Sequence, residues 1–479
     1  MKELSDIGLV GLGVMGQSLA LNMESKGFRV SVYNYIQDVT DRFMAERGSG
    51  KNFFAAASYE ELVASLRAPR KVFLMVTAGA AVDSVIDQLL LLLGKGDVII
   101  DGGNSHFPDT ERRCKMLEEK GLLYIGTGVS GGEEGALKGP SMMPGGAAAA
   151  WPLVKPIFQG ISAKAPDGTP CCDWIGPGGA GHFVKMVHNG IEYGDIQLIC
   201  ECYQIMRDGL GMDNPRMQAV FAGWNKGELD SYLIGITAEI LGKKDSDGRY
   251  VLDYILDTAG QKGTGKWTVV SALDEGVPLP LIGEAVFARC LSALKEERLA
   301  ASNVLSGPSP EISPLAALGR DDNNADEFIT SLRDALYAAK IISYAQGFAL
   351  MRAAATEQCW PLDYGRIAML WRGGCIIRSV FLDRIKAAFD RNPALENLML
   401  DPYFASILAS AQESLRTVVA ESARCGIPVP ALSSALAYYD GYRCPRLGTN
   451  LLQAQRDYFG APTYERTDRP RGEFFHTLW

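Results

Sequence analysis

Through its first third the chain alternates short apolar runs, IGLV at 7–10, VSVY at 30–33, VFLMV at 72–76 and VII at 98–100, with segments of helical period. That alternation predicts a parallel sheet wrapped by helices. The first run turns at Gly11-Leu12-Gly13-Val14-Met15-Gly16 into a helix expected to begin near Met15, and the second strand follows about twenty residues on. In that setting the G-x-G-x-x-G spacing points to dinucleotide binding ahead of a purely structural glycine turn. The glycines let the backbone turn tightly and approach a pyrophosphate, whose charge then sits at the helix N-terminus.

Strand signals fade after about residue 178, where IGPGGAG (175–181) reads as a flexible boundary, and long helical stretches follow to about residue 440. Within them Phe221-x-x-Trp224-Asn225-Lys226-Gly227 faintly echoes Met369-x-Trp371-Arg372-Gly373-Gly374, a hint of a duplicated helical unit. Segment 441–479, rich in Arg, Tyr, Pro and Gly, has little core of its own and reads as a tail that docks elsewhere. The expected fold is an α/β, Rossmann-type dinucleotide-binding domain over 1–178, a large all-α domain over 179–440 and a C-terminal tail over 441–479.

One helical stretch, GHFVKMVHNGIEYGD (181–195), has an unusual polar side. At about 100° per residue, Lys185, His188, Asn189 and Glu192 stand on one stripe with Tyr193 at its edge, while Phe183, Val184, Val187 and Ile191 form the opposite, packed face. Taken alone, the stripe fits a solvated face as well as a catalytic one.

Composition narrows the classes. A chain of 479 residues suggests two or three domains, and an apolar fraction of 47% with 22% charged residues supplies a sizeable core. A net charge of −9 argues against a nucleic-acid surface but leaves room for a local basic pocket. Ten cysteines occur without C-x-x-C or metal-ligand spacing, so they read as small, mostly buried thiols of a reducing compartment, and no metal site is expected. MKELSDIGLVGLG lacks the apolar core of a signal peptide, and the leucine run 89–93 is too short to span a bilayer. A cytoplasmic protein without membrane contact is expected.

Two further glycine-rich stretches, DGGNSHFPDT (101–110) and GVSGGEEGALKGPSMMPGG (128–146), each follow a strand, at the sheet edge where α/β folds bind ligands. Their backbone N–H groups, with Asn104 and Ser130, suit a carboxylate or a nicotinamide ribose; tight structural turns are the alternative. AGQKGTGKWT (259–268) offers Lys262 and Thr264, and Arg289 follows on a later helix, a set able to hold a phosphate although the Walker spacing is absent.

GLGVMG, DGGNSHFPDT, GVSGGEEGALKGPSMMPGG, GHFVKMVHNGIEYGD, GQKGTGKWT, WRGGCIIRS and NLLQAQRDYFGAPTYE together resemble, in order and over nearly the whole chain, the 6-phosphogluconate dehydrogenase family of the β-hydroxyacid dehydrogenase group. The resemblance implies NADP-dependent oxidative decarboxylation of 6-phosphogluconate to ribulose 5-phosphate. It implies Lys185 as general base, Glu192 as the acid that protonates C1 of the product, and His188, Asn189, Asn104 and Ser130-Gly131-Gly132 as ligands of the hydroxyls and carboxylate. Tyr193, Lys262, Thr264 and Arg289 match the phosphate site. Arg456 matches a family arginine that enters from the partner subunit, which implies a homodimer with shared active sites. Cofactor contacts fall on Gly11, Gly13, Val14, Met15, Gly16, Asn34, Tyr35, Val76, Thr77 and Asn104.

Three positions depart from the family pattern. Tyr35 replaces an arginine that grips the 2′-phosphate of NADP, Thr77 replaces a lysine near the cofactor, and Pro462 replaces a histidine before Thr463-Tyr464-Glu465. No acidic residue stands at Asn34 to favour NAD, so relaxed specificity with use of NAD is expected, with Arg42 or Lys51 as candidate compensating cations. The alternatives are an NAD-preferring enzyme of the same reaction and a weakly catalytic sensor of sugar phosphate or dinucleotide.

Overall fold

The computed structural model describes residues 3–261, 263–305, 315, 322–460 and 462–479. Lys262 lies outside the described residues. Strand β1 (Ile7–Val10) is central: Leu9 lies opposite Val32 of β2 (Val30–Tyr33) and Phe73 of β4 (Lys71–Leu74). With β3 (Phe53–Ala55), β5 (Val98–Asp101), β6 (Leu123–Ser130), β7 (Ser141–Gly146) and β8 (Gly176–Pro177), an eight-stranded sheet forms in the order β3-β2-β1-β4-β5-β6-β7-β8. Successive strand residues feed opposite faces, as the two-residue period of a strand dictates. Leu9, Phe73 and Ile100 enter one core with Leu19, Phe43 and Phe158; Val10, Leu74 and Ile99 enter another with Leu62, Ile86 and Leu117.

The helices of this part are α1 (Val14–Ser25), α2 (Gln37–Glu46), α3 (Tyr59–Ala64), α4 (Ala80–Leu90), α5 (Phe107–Glu119), α6 (Gly132–Lys138) and α7 (Trp151–Ile161). Helix α8 (Ala180–Gln204) then opens an all-helical part with α9 (Asn214–Trp224), α10 (Tyr232–Gly242), α11 (Thr264–Asp274), α12 (Pro280–Ser292) and α13 (Lys295–Val304). It continues with α14 (Asp322–Glu357), α15 (Tyr364–Leu370), α16 (Leu382–Arg391), α17 (Pro402–Arg424) and α18 (Pro430–Tyr442). Helix α19 (Thr449–Gly460) and the hairpin of β9 (Tyr464–Glu465) and β10 (Phe474–Phe475) finish the chain.

Four expectations need correction. The sheet is mixed, because β7 returns antiparallel to β6 after only the short helix α6, too short a link for a parallel crossover. Ser141–Gly146, expected as ligand-facing loop, is therefore a buried strand. Segment 175–181 is no flexible boundary: β8 pairs with β7, and a Cβ at Gly145 would come within 2.5 Å of Gly181 N, so α8 starts flat against the sheet. Among the ten free thiols Cys200, Cys290, Cys359 and Cys444 are exposed and Cys114 is intermediate, so only half are buried.

The faint echo has a spatial counterpart. Ser231 and Ser379, just after the echoing segments, form an antiparallel bridge in which Tyr232 N donates to Arg378 O at 3.1 Å and Val380 N to Asp230 O at 3.2 Å.

Candidate active site

The polar stripe on α8 is buried. Lys185, His188, Asn189 and Tyr193 are all inaccessible or nearly so, and Glu192 is only partly open. The sheet explains this: a Cβ on Gly128 of β6 would collide with the Lys185 stem, so that glycine lets the helix and its lysine lie directly on the strand. Gly190 and Gly265 do the same on the other flank, where Thr268 and the Tyr193 ring fill the space a Cβ would need.

Lys185 Nζ donates to Asn189 Oδ1 at 2.8 Å and lies 3.4 Å from His188 Nδ1. Asn189 Nδ2 donates to Thr264 Oγ1 at 3.1 Å, which ties the stripe to the first turn of α11. His188 Nε2 stands 3.4 Å from Ser130 Oγ, and its Nδ1 is 3.9 Å from the Glu192 carboxylate. The Arg289 guanidinium lies 3.5 Å from the centre of the Tyr193 ring, within the range of a cation–π contact.

Burial sets the charge states. It lowers the Lys185 pKa, against the opposing pull of the Glu192 carboxylate. It raises the Glu192 pKa, against Lys185 and Arg289. Burial and the neighbouring Lys185 keep His188 neutral, its pKa held well below the usual histidine value. A lysine pushed toward its neutral form beside a carboxyl pushed toward its protonated form is the pairing that base and acid chemistry requires.

Ser130, Gly131 and Gly132 form the turn from β6 into α6, with Gly131 at φ +114° and Gly132 at φ +63°. The loop after α15 supports this turn: Gly374 O sits where a Gly131 side chain would go and accepts from Ser141 N at 2.8 Å, while Trp371 meets His188 edge-on at 5.5 Å between ring centres. WRGGCIIRS marked this loop in the sequence but gave no role for Trp371. His182 was missed altogether; one turn before Lys185, its Nδ1 pairs with Thr110 Oγ1 at 2.7 Å.

The glycine turn between β1 and α1 is open. Beyond its own chain neighbours, no described residue comes within 4 Å of where a Gly13 side chain would be, Val14 is exposed, and α1 has no acidic residue in its first turn. Gly11 and Gly16 close tightly on Met75 O and Gly11 O. These features suit a pyrophosphate at a helix N-terminus. Asn34, expected as a cofactor ligand, is buried beside this turn, and its Oδ1 accepts from Leu12 N at 3.1 Å to brace it. Tyr35 is 81% exposed, Thr77 is exposed and Val76 half-buried. Lys51 is engaged with Glu24 at 3.6 Å and Arg42 is exposed; the cation that reaches toward the turn is Arg47, on Gln17 Oε1 at 3.1 Å, with Gln17 Nε2 on Leu12 O at 2.9 Å.

Asn104 is exposed in the loop after β5. Arg456 is exposed on α19, where it donates to Gln453 Oε1 of the same helix at 2.9 Å. One chain therefore gathers Lys185, His188, Asn189, Glu192, Tyr193, Ser130, Thr264 and Arg289, but not Arg456. Among the described residues no cluster of three or more metal-ligating side chains occurs, and no helix is long and apolar enough to cross a membrane.

The model of the NAD binding domain of 6-phosphogluconate dehydrogenase matches residues 6–176, and that of the C-terminal domain of the same enzyme matches 181–479. The chain belongs to the 6-phosphogluconate dehydrogenase family. It is 58% identical to the decarboxylating 6-phosphogluconate dehydrogenase of Dictyostelium discoideum over 99% of this chain and 96% of that one. Against the human enzyme of that name the identity is 57%, with the same shares covered. A solved 6-phosphogluconate dehydrogenase of Plasmodium falciparum, studied as apo form and in complex with NADP+ and with 6-phosphogluconate, superposes with a TM-score of 0.93 at 47% identity, covering 99% of this chain and 100% of that one. In this chain the β6–α8 contact through Gly128 seats Lys185 against the sheet.

Proposed function

We propose that this protein oxidatively decarboxylates 6-phosphogluconate to ribulose 5-phosphate and CO2 with reduction of NADP, using Lys185 as base and Glu192 as acid. The observation that carries the assignment is the buried stripe in which Lys185 is driven toward its neutral form and Glu192 toward its protonated form. NADP, when bound, accepts the hydride from substrate C3. The open glycine turn and the free N-terminus of α1 support its binding.

Neutral Lys185 takes the proton of the C3 hydroxyl as the hydride leaves, and the resulting ammonium polarises the new C3 ketone. The C1–C2 bond then breaks, CO2 departs and its electron pair enters the C2–C3 enediol. Glu192 delivers a proton to the former C2, which becomes C1 of ribulose 5-phosphate, while the C3 oxygen returns its proton to the enzyme. Lys185 and Glu192 are seven residues apart on one rigid helix, so both ends of the reacting carbons are served without rearrangement. His188, Asn189, Asn104 and Ser130-Gly131-Gly132 hold the hydroxyls and carboxylate; Tyr193, Lys262, Thr264 and Arg289 hold the phosphate.

We take the chain to comprise three units, 1–178, 179–440 and 441–479, and to form a homodimer in which the partner's Arg456 completes each phosphate site. Large apolar side chains left exposed on α11–α13 and α19, among them Leu273, Phe287, Leu291, Leu451 and Phe459, support such an interface. Ten free thiols fit a reducing compartment such as the cytoplasm. Incubation of the purified protein with 6-phosphogluconate and NADP or NAD should yield reduced cofactor and CO2 in equal amounts. Reduced cofactor without CO2, or neither, would overturn the assignment; binding without turnover would favour a sensor.

A further inference from the structure

Behind the reactive groups, one fully buried arginine touches two ligand-facing loops at once. Arg113, on the inner face of α5, donates from Nε to Asp83 Oδ1 at 2.8 Å and from Nη2 to Asp83 Oδ2 at 3.0 Å, at the start of α4. Nη2 also donates to Gly79 O at 3.0 Å, in the loop after β4 that carries Val76 and Thr77. Its Nη1 lies 3.5 Å from Asp101 Oδ2, at the end of β5, and 3.4 Å from Ser105 Oγ, in the following loop that carries Asn104.

Asp101 relays the hold inward. Its Oδ1 accepts from Gly103 N at 3.0 Å, and its Oδ2 accepts from Ser105 Oγ at 2.6 Å and Tyr124 OH at 3.0 Å. Gly102 has no room for a side chain against Phe73 and Met75, so the two loops already lie back to back. Helix α5 reaches the reactive helix as well, through Thr110 and His182, one turn before Lys185. A planar guanidinium with several fixed donors suits such a junction; a lysine, a point charge on a flexible stem, cannot satisfy it.

We propose that Arg113 is a positioning residue for hydride transfer, fixing the loop at 75–79 relative to the loop at 101–105. This rests on the dehydrogenase reaction proposed above. In an α/β fold of this kind ligands bind in the crevice outside the carboxyl ends of the strands, and these two loops leave the carboxyl ends of β4 and β5. Arg113 touches neither ligand; it sets the separation of the groups that do. A misplacement of about 1 Å at such a junction costs on the order of a hundredfold in rate, because the reacting atoms must meet at near-contact distance.

The test compares Arg113→Lys and Asp83→Asn with the unmodified protein by single-turnover formation of NADPH at saturating ligands, using 6-phosphogluconate with protium or deuterium at C3. Arg113→Lys should slow hydride transfer at least tenfold and enlarge the deuterium effect on steady-state turnover, with KM for 6-phosphogluconate changed less than threefold. Asp83→Asn, at a partly exposed position, should move the same quantities in the same direction by a smaller factor, and it decides the matter if Arg113→Lys does not fold. Hydride transfer within twofold of the unmodified protein in a folded variant, or a loss confined to KM, would overturn the proposal. An unmodified protein that does not reduce NADP would instead overturn the reaction itself, a failure read before any variant is compared.

Discussion

At the scale of single residues, the proposed chemistry depends on where Lys185 and Glu192 hold their protons. Lys185→Met should abolish turnover and leave NADP affinity within about threefold, since the side chain lies against β6 and bonds Asn189 rather than the glycine turn; fluorescence titration against an activity assay checks both. Neutral Lys185 accumulates as pH rises, whereas protonated Glu192 is depleted, so the rate should climb on the acid side and fall on the alkaline side. Glu192→Gln cannot titrate, and its residual rate should rise to an alkaline plateau instead of falling; a retained alkaline fall would give that limb to another group. At the other end of the cofactor, each charge-assisted contact to a 2′-phosphate is worth about 1.5–3 kcal/mol. Tyr35→Arg should therefore raise the NADP-over-NAD ratio of kcat/KM by about tenfold or more. An unchanged ratio would turn attention to Arg47, the cation that already reaches the turn through Gln17.

Between elements, the most informative contact is Glu201, near the end of α8. It accepts from Ala431 N at 2.8 Å and Leu432 N at 2.9 Å, so one helix supplies the N-terminal cap of another, α18. Leaving two buried donors unpaired costs about 1–3 kcal/mol each. Glu201→Ala should thus lower the melting temperature by several degrees while KM for NADP stays put. The elements themselves were unequally legible. β1, β2, β4 and β5 are predominantly apolar and stood out, as did the glycine turn and the stripe on α8. β7 did not, because SMMPGG is rich in glycine, proline and serine and becomes a strand only through pairing with β6. The stripe was visible as a period, yet its burial was not: that comes from Gly128, Gly190 and Gly265, whose value lies in side chains they lack. The bracing role of Asn34 was hidden for a related reason, since its inward turn onto Leu12 N is a tertiary contact that no local pattern encodes. The clamp around Arg113 left no signal either, as its partners are spread from Gly79 to Ser105.

For the whole molecule, the proposed sharing of Arg456 between partners makes a sharp prediction about mixtures. Lys185→Met and Arg456→Ala should each be nearly inactive alone. In a mixed dimer one site loses both residues and the other keeps both, so random re-association of equal amounts should restore about a quarter of normal activity. No recovery after dissociation and re-association would refute the shared site. The arm that carries Arg456 is braced for such a reach, because Asp457, fully buried beside it, gathers His476 Nδ1 at 2.8 Å, Thr477 N at 3.0 Å and Trp479 Nε1 at 2.9 Å. The exposure of Tyr35 and Thr77 has a consequence of another kind. Neither residue supports a core, so exchanging them costs the fold almost nothing, whereas any change along the glycine-walled stripe disturbs packing on both flanks. Descendants of this sequence can drift readily between redox currencies while the sugar they oxidise stays fixed.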